Sequence, residues 1–265
     1  MDLHHVRRGA GDPLVLIHGL GSEWRAWEPV LDSLAREHQV IALDLPGFGA
    51  SPSLPAGTRA TIPALTDAVE SFLEREGIEQ PAVAGFSMGG AVSLELARRG
   101  AVGSVVAISP AGFWTERERA FCQRSVRNAR SLPVAPALLG NAATRTVLLG
   151  QFFGRPWRVP PEAARRAVER LQAAPAFDDA TDAFSEYRFS RGQELAGIPV
   201  TVAWGTRDLL LLPREGRRTP RLIPHARLVW LRGCGHVPFW DDPDAVVRTV
   251  LGGVRATAAP APVPG

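Results

Sequence analysis

The segment Gly85-Phe86-Ser87-Met88-Gly89 has the residue types and spacing that could turn a serine hydroxyl into a nucleophile. In a G-x-S-x-G turn between a strand and a helix, the serine takes a strained backbone conformation that leaves no room for side chains two residues either side. Glycine at 85 and 89 meets that demand, and Gly90 lets the helix pack close to neighbouring backbone. With 26 Gly and 13 Ser in 265 residues, the bare pattern arises by chance about 0.13 times per chain, so its position has to decide. Residues 82–85 read as a short strand, and 88–99 as a helix closed by Gly100. That is the context the turn requires.

A nucleophilic serine needs a base, and the base needs an acid to orient it. Gly233-Cys234-Gly235-His236 follows the apolar strand pattern at 227–231, so a glycine-flanked loop can swing the imidazole over the turn. Asp208 ends Trp204-Gly205-Thr206-Arg207-Asp208, after the strand pattern at 200–204. A carboxylate there would hold the imidazole's tautomer and stabilise the imidazolium formed during attack. Rival positions are poor. The strand ending at Ser109-Pro110 carries no acid, and Asp241 and Asp242 lie too near His236 in sequence to reach behind it. Asp44 precedes Ser87 and reads as a tie for the loop at 46–49. The order Ser87, Asp208, His236 remains. His18-Gly19-Leu20-Gly21 follows another strand pattern, at 14–18. The backbone N–H groups of Leu20 and Met88 can there form an oxyanion hole, each donor worth about 3–4 kcal/mol of barrier. His18 reads as a loop-fixing histidine beneath that turn.

These side chains need a scaffold. Apolar runs alternate with helical-period segments, the signature of a parallel sheet covered by helices on both faces. Strands are expected at 3–8, 14–18, 40–43, 82–85, 104–109, 200–204 and 227–231. Between them come a helix capped by Ser22 and running to about 36, one capped by Thr61 and running to about 76 with Pro63 in its first turn, and one at about 214–223. A last helix is expected at about 243–251. Between 110 and 192 the alternation stops, and helical patterns at 115–130, 137–149, 161–173 and 178–189 suggest a cap laid over the sheet's active edge. The core is then 1–109 with 193–252. The end of the chain from 253, Ala/Pro-rich over 256–265, reads as a disordered tail.

Composition narrows the classes. A hydrophobic content of 45% with 22% charge suits a globular protein with a sizeable core. No run approaches the ~18 apolar residues of a membrane span, and the N-terminus lacks a secretory pattern. With two distant cysteines, Cys122 and Cys234, free thiols in a reducing cytoplasm are expected. A net charge of +3 without a basic-aromatic array argues against nucleic acid. All basic residues are arginine, which removes every lysine mechanism. The 110–192 segment holds 13 arginines against 8 acids. Solvated helix faces explain that excess first, and an entrance preferring an anionic group on the substrate second.

On these residues the chain resembles the α/β-hydrolase superfamily, in its capped, serine-nucleophile branch. His18-Gly19, Asp44-Leu45-Pro46-Gly47-Phe48-Gly49, Gly85-Phe86-Ser87-Met88-Gly89-Gly90, Asp208 and Gly235-His236 match in order over about 3–252. The resemblance implies a mostly parallel, doubly wound α/β sheet beginning at the second of the usual eight strands. It also implies a two-step reaction through an acyl-serine, with no metal or cofactor. Hydrolysis of a small carboxylic ester or related acyl compound leads. Ser87 argues against haloalkane dehalogenases and epoxide hydrolases, whose nucleophile is aspartate, and the absence of lysine against plant-type hydroxynitrile lyases. Meta-cleavage C–C hydrolases resemble the chain at 87–90 but carry Asn and Trp where Phe86 and Val237 stand. C–C hydrolysis, perhydrolase side activity, lyase, cyclase or acyl-transfer chemistry, and a slow-turnover ligand receptor stay as alternatives. The expected partner is a largely apolar small molecule. Trp24, Phe86, Phe113, Trp157, Val237 and Phe239 are candidate pocket walls, with Leu20, Met88, Trp114, Phe152 and Phe153 beside them, and ordinary core packing is the competing role for each.

Overall fold

The protein, described by a computed structural model over residues 1–255, is built on one sheet. Its strands are β1 (His5–Arg8), β2 (Pro13–Ile17), β3 (Gln39–Leu43), β4 (Ala82–Phe86), β5 (Ser104–Ile108), β6 (Val200–Gly205) and β7 (Arg227–Leu231). Their order is β1-β3-β2-β4-β5-β6-β7, with β1 antiparallel to β3 and every other pair parallel. The helices are α1 (Glu28–Leu34), α2 (Ile62–Arg75), α3 (Met88–Arg98), α4 (Glu116–Ser131), α5 (Ala142–Leu149), α6 (Pro161–Ala173), α7 (Phe177–Ala183), α8 (Pro213–Gly216), α9 (Thr219–Leu222) and α10 (Pro243–Val254).

The inner strands β2–β6 are near-continuous apolar runs because both faces of the sheet are covered there, whereas the edge strand β1 carries two exposed arginines. Side chains of the inner strands alternate between two cores. Val15 and Ile17 of β2 join the core under α2 and α3, while Leu14 and Leu16 join the core under α1 and α10. The chain leaves β2 for β3 on one side and β4 for β5 on the other. The order therefore reverses between β2 and β4, where an open α/β sheet leaves a crevice at its carboxyl ends. The loops after β2 and β4 meet there.

Between Ile108 and Val200 the described chain forms no strand. This helical segment has a small core of its own, built from Leu139, Leu149, Phe153, Val159 and Ala164. Thr115 caps α4 in a reciprocal box with Glu118. The Glu118 carboxylate also accepts from Arg214 Nε at 2.6 Å and Arg218 Nη2 at 2.9 Å, tying α4 to the α8–α9 region. On the opposite side, Arg166 and Arg170 of α6 pair with Glu28 (2.9 Å) and Glu23 (3.1 Å).

Several local expectations are corrected. Ser22 caps nothing. A 3₁₀ turn at Trp24–Trp27 precedes α1, and neither start has a side-chain cap, Pro29 instead setting the first turn of α1. The single helix expected at 214–223 is two short ones, since Pro220 lacks an N–H and is accepted only in the first turn of α9. The pattern at 178–189 gives α7 and a 3₁₀ turn, Phe184–Glu186, after which the Phe189 N–H bonds the Gly112 carbonyl at 3.0 Å. The last helix runs to Val254, so residues 253 and 254 belong to it rather than to a tail. The rest of the tail expectation, 256–265, lies outside the described residues. Thr61 does cap α2, its hydroxyl accepting from the Ala64 N–H at 3.2 Å. Both cysteines are free and buried.

Candidate active site

Ser87 sits between β4 and α3 with φ 55° and ψ −119°, a left-handed conformation unusual for a residue with a Cβ. The turn survives because its backbone is fully bonded. The Ser87 N–H donates to the Ile108 carbonyl (2.9 Å), and its own carbonyl accepts from Ala111 (3.0 Å) and Ala91 (3.1 Å). The glycines are steric necessities. A Cβ at Gly85 would stand 2.2 Å from the Gly89 carbonyl oxygen, and one at Gly89 would stand 2.4 Å from those of Ile17 and His18. Close approach at Gly89 seats the helix start directly against the loop after β2.

Of the two residues expected to donate, Leu20 lies on that loop and Met88 opens α3. Leu20 lines the cavity described below, and Met88, the first residue of α3, has an N–H with no intrahelical acceptor. His18 is fully buried. Its Nε2 accepts from the Leu45 N–H at 2.9 Å, so its proton is on Nδ1, which donates to the Gly19 carbonyl at 2.7 Å. Burial lowers its pKa, outweighing the nearby Asp44 and the Gly19 bond. Both ring nitrogens are committed, and His18 fixes the loop. Asp44 holds the neighbouring turn through the N–H groups of Trp24 (2.7 Å) and Ala50 (2.9 Å) and through His4 (2.8 Å).

Asp208 and His236 come together. His236 Nδ1 lies 2.9 Å from Asp208 Oδ2, with both side chains buried. The other carboxylate oxygen accepts from the N–H groups of Leu210 (2.9 Å) and Leu211 (2.8 Å). A carboxylate only accepts, so Nδ1 carries the proton and Nε2 keeps its lone pair. The two loops pack backbone against backbone, since a Cβ at Gly205 would lie 2.2 Å from the Gly235 carbonyl oxygen. Asp242 caps α10 through the Ala245 N–H (3.0 Å).

Ser87 and His236 line one cavity of about 180 Å³ between the sheet's carboxyl edge and the helical segment. Its walls are largely apolar, drawn from α4, α5 and α6 with Phe152 and Phe153, while Glu23, Arg25, Glu28, Arg166 and Arg170 supply charge. Of the expected wall residues, Leu20, Phe86, Val237, Phe152 and Phe153 line it. The others are elsewhere, for packing reasons. Trp24 lies in the sheet core with the Arg25 guanidinium 4.6 Å above its ring. Phe113 stacks on Phe189 at 5.4 Å, near Trp204, and Trp114 packs on Phe184. Phe239 is wedged between Trp27 (4.5 Å) and Phe86 (5.0 Å). Met88 is core, and Trp157 is half exposed at 50%. Trp240, three residues after Val237, takes the wall position, because the 237–241 turn brings i and i+3 to one side.

Two buried carboxyls near the site have surroundings that the sequence did not indicate. Asp241 bonds the backbone around His236, as described below. Glu215 on α8 is 1% exposed, with Oε1 accepting from the Leu212 N–H at 2.9 Å and Oε2 unpartnered. Burial raises its pKa to about 8 against the Leu212 bond, with Glu118 and Asp208 adding to the rise, so it is neutral at pH 7. An acid with a raised folded-state pKa contributes stability that is complete below the unfolded value and lost as pH rises through the folded one. Stability should therefore fall from about pH 4.5 to about pH 8. Glu215→Gln is expected to flatten that slope in thermal melts across the range; an unchanged slope would refute the assignment.

A nearly parallel sheet, an inserted helical segment and a strained Ser turn at the crevice define the class of an α/β hydrolase. Residues 14–249 match the alpha/beta hydrolase family, and the chain belongs to it. It is 30% identical over 95% of its length to the dihydrolipoyllysine-residue acetyltransferase component of the acetoin cleaving system of Cupriavidus necator. The chain spans about two thirds of the length of the acetyltransferase components it matches, 67% and 64%. It is also 30% identical to lipase 1 of Psychrobacter immobilis, covering 89% of this chain and 74% of that one. A thermophilic esterase from Thermogutta terrifontis has the same fold, with TM-score 0.78 and 23% identity over 97% of this chain and 94% of its own.

Proposed function

We propose that the protein is a serine hydrolase acting on small, largely apolar carboxylic esters or related acyl compounds. The observation that carries this reading is that His236, 2.9 Å from the buried Asp208, lines the same cavity as Ser87 in its left-handed turn. Ser87 Oγ attacks the acyl carbon as His236 Nε2 takes the hydroxyl proton, and Asp208 stabilises the imidazolium. The N–H groups of Leu20 and Met88 receive the oxyanion. The leaving alcohol departs with the proton from His236, and water, deprotonated by the same nitrogen, hydrolyses the acyl-serine. The helical segment acts as a cap whose apolar inner surface holds the substrate's hydrocarbon. At the mouth, Arg25, Arg166 and Arg170 face Glu23 and Glu28, a surplus of one positive charge that supports only a weak preference for an anionic group.

The deciding experiment is intact-mass analysis after incubation with a fluorophosphonate, followed by peptide mapping. One adduct is expected, on Ser87 and lost in His236→Ala; no adduct, or one elsewhere, overturns the assignment. Acyl transfer is a second reading, favoured by the acetyltransferase name of the Cupriavidus relative. It predicts that an added alcohol or thiol acceptor captures the acyl group in preference to water.

A further inference from the structure

The fully buried carboxylate of Asp241 bridges two parts of the chain that are far apart in sequence. Its Oδ2 accepts from the N–H of Gly235 at 2.7 Å and of Gly154 at 2.8 Å, and its Oδ1 from the N–H of Arg155 at 2.7 Å. Its backbone carbonyl accepts from Arg155 Nη1 and Arg158 Nη1, both at 2.8 Å. On the other side of His236, the Val237 N–H donates to the Phe152 carbonyl at 2.8 Å. The residues flanking His236 are thus both bonded to 152–155, one through Asp241 and one directly. Contact there is tight, since a Cβ on Gly154 would lie 2.3 Å from the Gly233 carbonyl oxygen and 2.7 Å from the Gly235 nitrogen. Phe152 and Phe153, beside these bonds, are cavity walls.

We propose that Asp241 is a positioning residue, clasping the His236 loop to the cavity wall at 152–155 so that the place of the imidazole depends on the place of that wall. The proposal rests on the serine-hydrolase reading for its effect on turnover, but the clasp itself is a matter of main-chain bonds. A buried carboxylate receiving three backbone N–H groups has no room for a donor of its own. Asn at 241 offers one oxygen for three N–H groups and turns an NH₂ toward at least one of them. Freed of its acceptor, the peptide before His236 shifts, and displacements near 1 Å cost about 10²-fold in rate. A substrate pressing on Phe152 and Phe153 presses, through the same bonds, on the base.

The test compares wild type with Asp241→Asn by p-nitrophenyl ester kinetics and by amide hydrogen exchange on the peptides around 152–158 and 233–240. The expected result is a fall in kcat of about 10–100-fold with KM within about threefold, and faster exchange in both peptides together. A kcat within twofold of wild type, a loss confined to KM, or faster exchange in only one peptide overturns the clasp. If Asp241→Asn does not fold, Gly154→Ala wedges the same contact from the wall side and is expected to give the same kcat loss and paired exchange. If the wild type neither turns over esters nor labels on Ser87, the hydrolase reading fails, and the paired exchange alone decides the clasp.

Discussion

Ser87→Ala is expected to lower kcat/KM on a short p-nitrophenyl ester by about 10⁴–10⁶-fold while leaving the thermal midpoint within a few degrees of wild type. The loss is chemical because the substitution deletes only Oγ. The bonds that hold the turn, to Ile108, Ala91 and Ala111, all use the Ser87 backbone, and alanine's Cβ is no more crowded at φ 55° than serine's. What remains is catalysis by two amide donors and an apolar cavity acting on attacking water, which leaves a residue above the uncatalysed rate. Steady-state kinetics and a melt on the same preparation check both halves. Activity above about 1% of wild type would mean that another group supplies the nucleophile.

For Asp208→Asn the expected loss is about 10⁴-fold in kcat, with substrate binding nearly unchanged. Here the structure dictates which way the amide turns. Asp208 Oδ1 is held by the N–H groups of Leu210 and Leu211, so the asparagine must present its oxygen to them and its NH₂ to His236 Nδ1. Facing a donor, Nδ1 gives up its proton and becomes the acceptor, and the proton moves to Nε2. The nitrogen meant to deprotonate Ser87 is then already protonated. Nitrogen-15 chemical shifts of His236 should report that exchange of tautomers together with the loss of rate. A rate within tenfold of wild type would assign the orienting role to another carboxyl.

Legibility differed by kind of feature. The strand at 227–231 and the helix at 161–173 were readable to the residue, because continuous apolar runs and clean 3.6-residue periods carry their own boundaries. Ser22 misled because a capping residue type stood where the chain makes a 3₁₀ turn instead. His18 was readable as structural and is so, both nitrogens being spent on the loop. The cavity wall was readable only in part. Phe113, Phe239 and Trp24 are aromatic residues near candidate catalytic positions, as wall residues should be, yet each points into a core. Nearness in sequence does not say on which side of a turn a ring falls. Trp240 and Phe239 are adjacent and divide between cavity and core.

By itself the sequence determined the fold class and the three candidate side chains, because each depends on local order: a glycine-bounded serine after a strand, an aspartate at a strand's end, a histidine after the last strand. Steric demands and strand periodicity are written residue by residue, so they can be read one stretch at a time. Only the tertiary structure decided which carboxyls near the site matter and how. Asp241 was set aside as too close to His236 to orient its ring, but it reaches Gly154 and Arg155, over 80 positions away, as well as the backbone beside the base. Glu215 becomes a neutral acid near Asp208 because folding strips its water, a cost that the nearby Arg218 charge and the Leu212 N–H do not offset. Burial and long-range backbone bonds come into being when distant segments meet, and no local pattern encodes them.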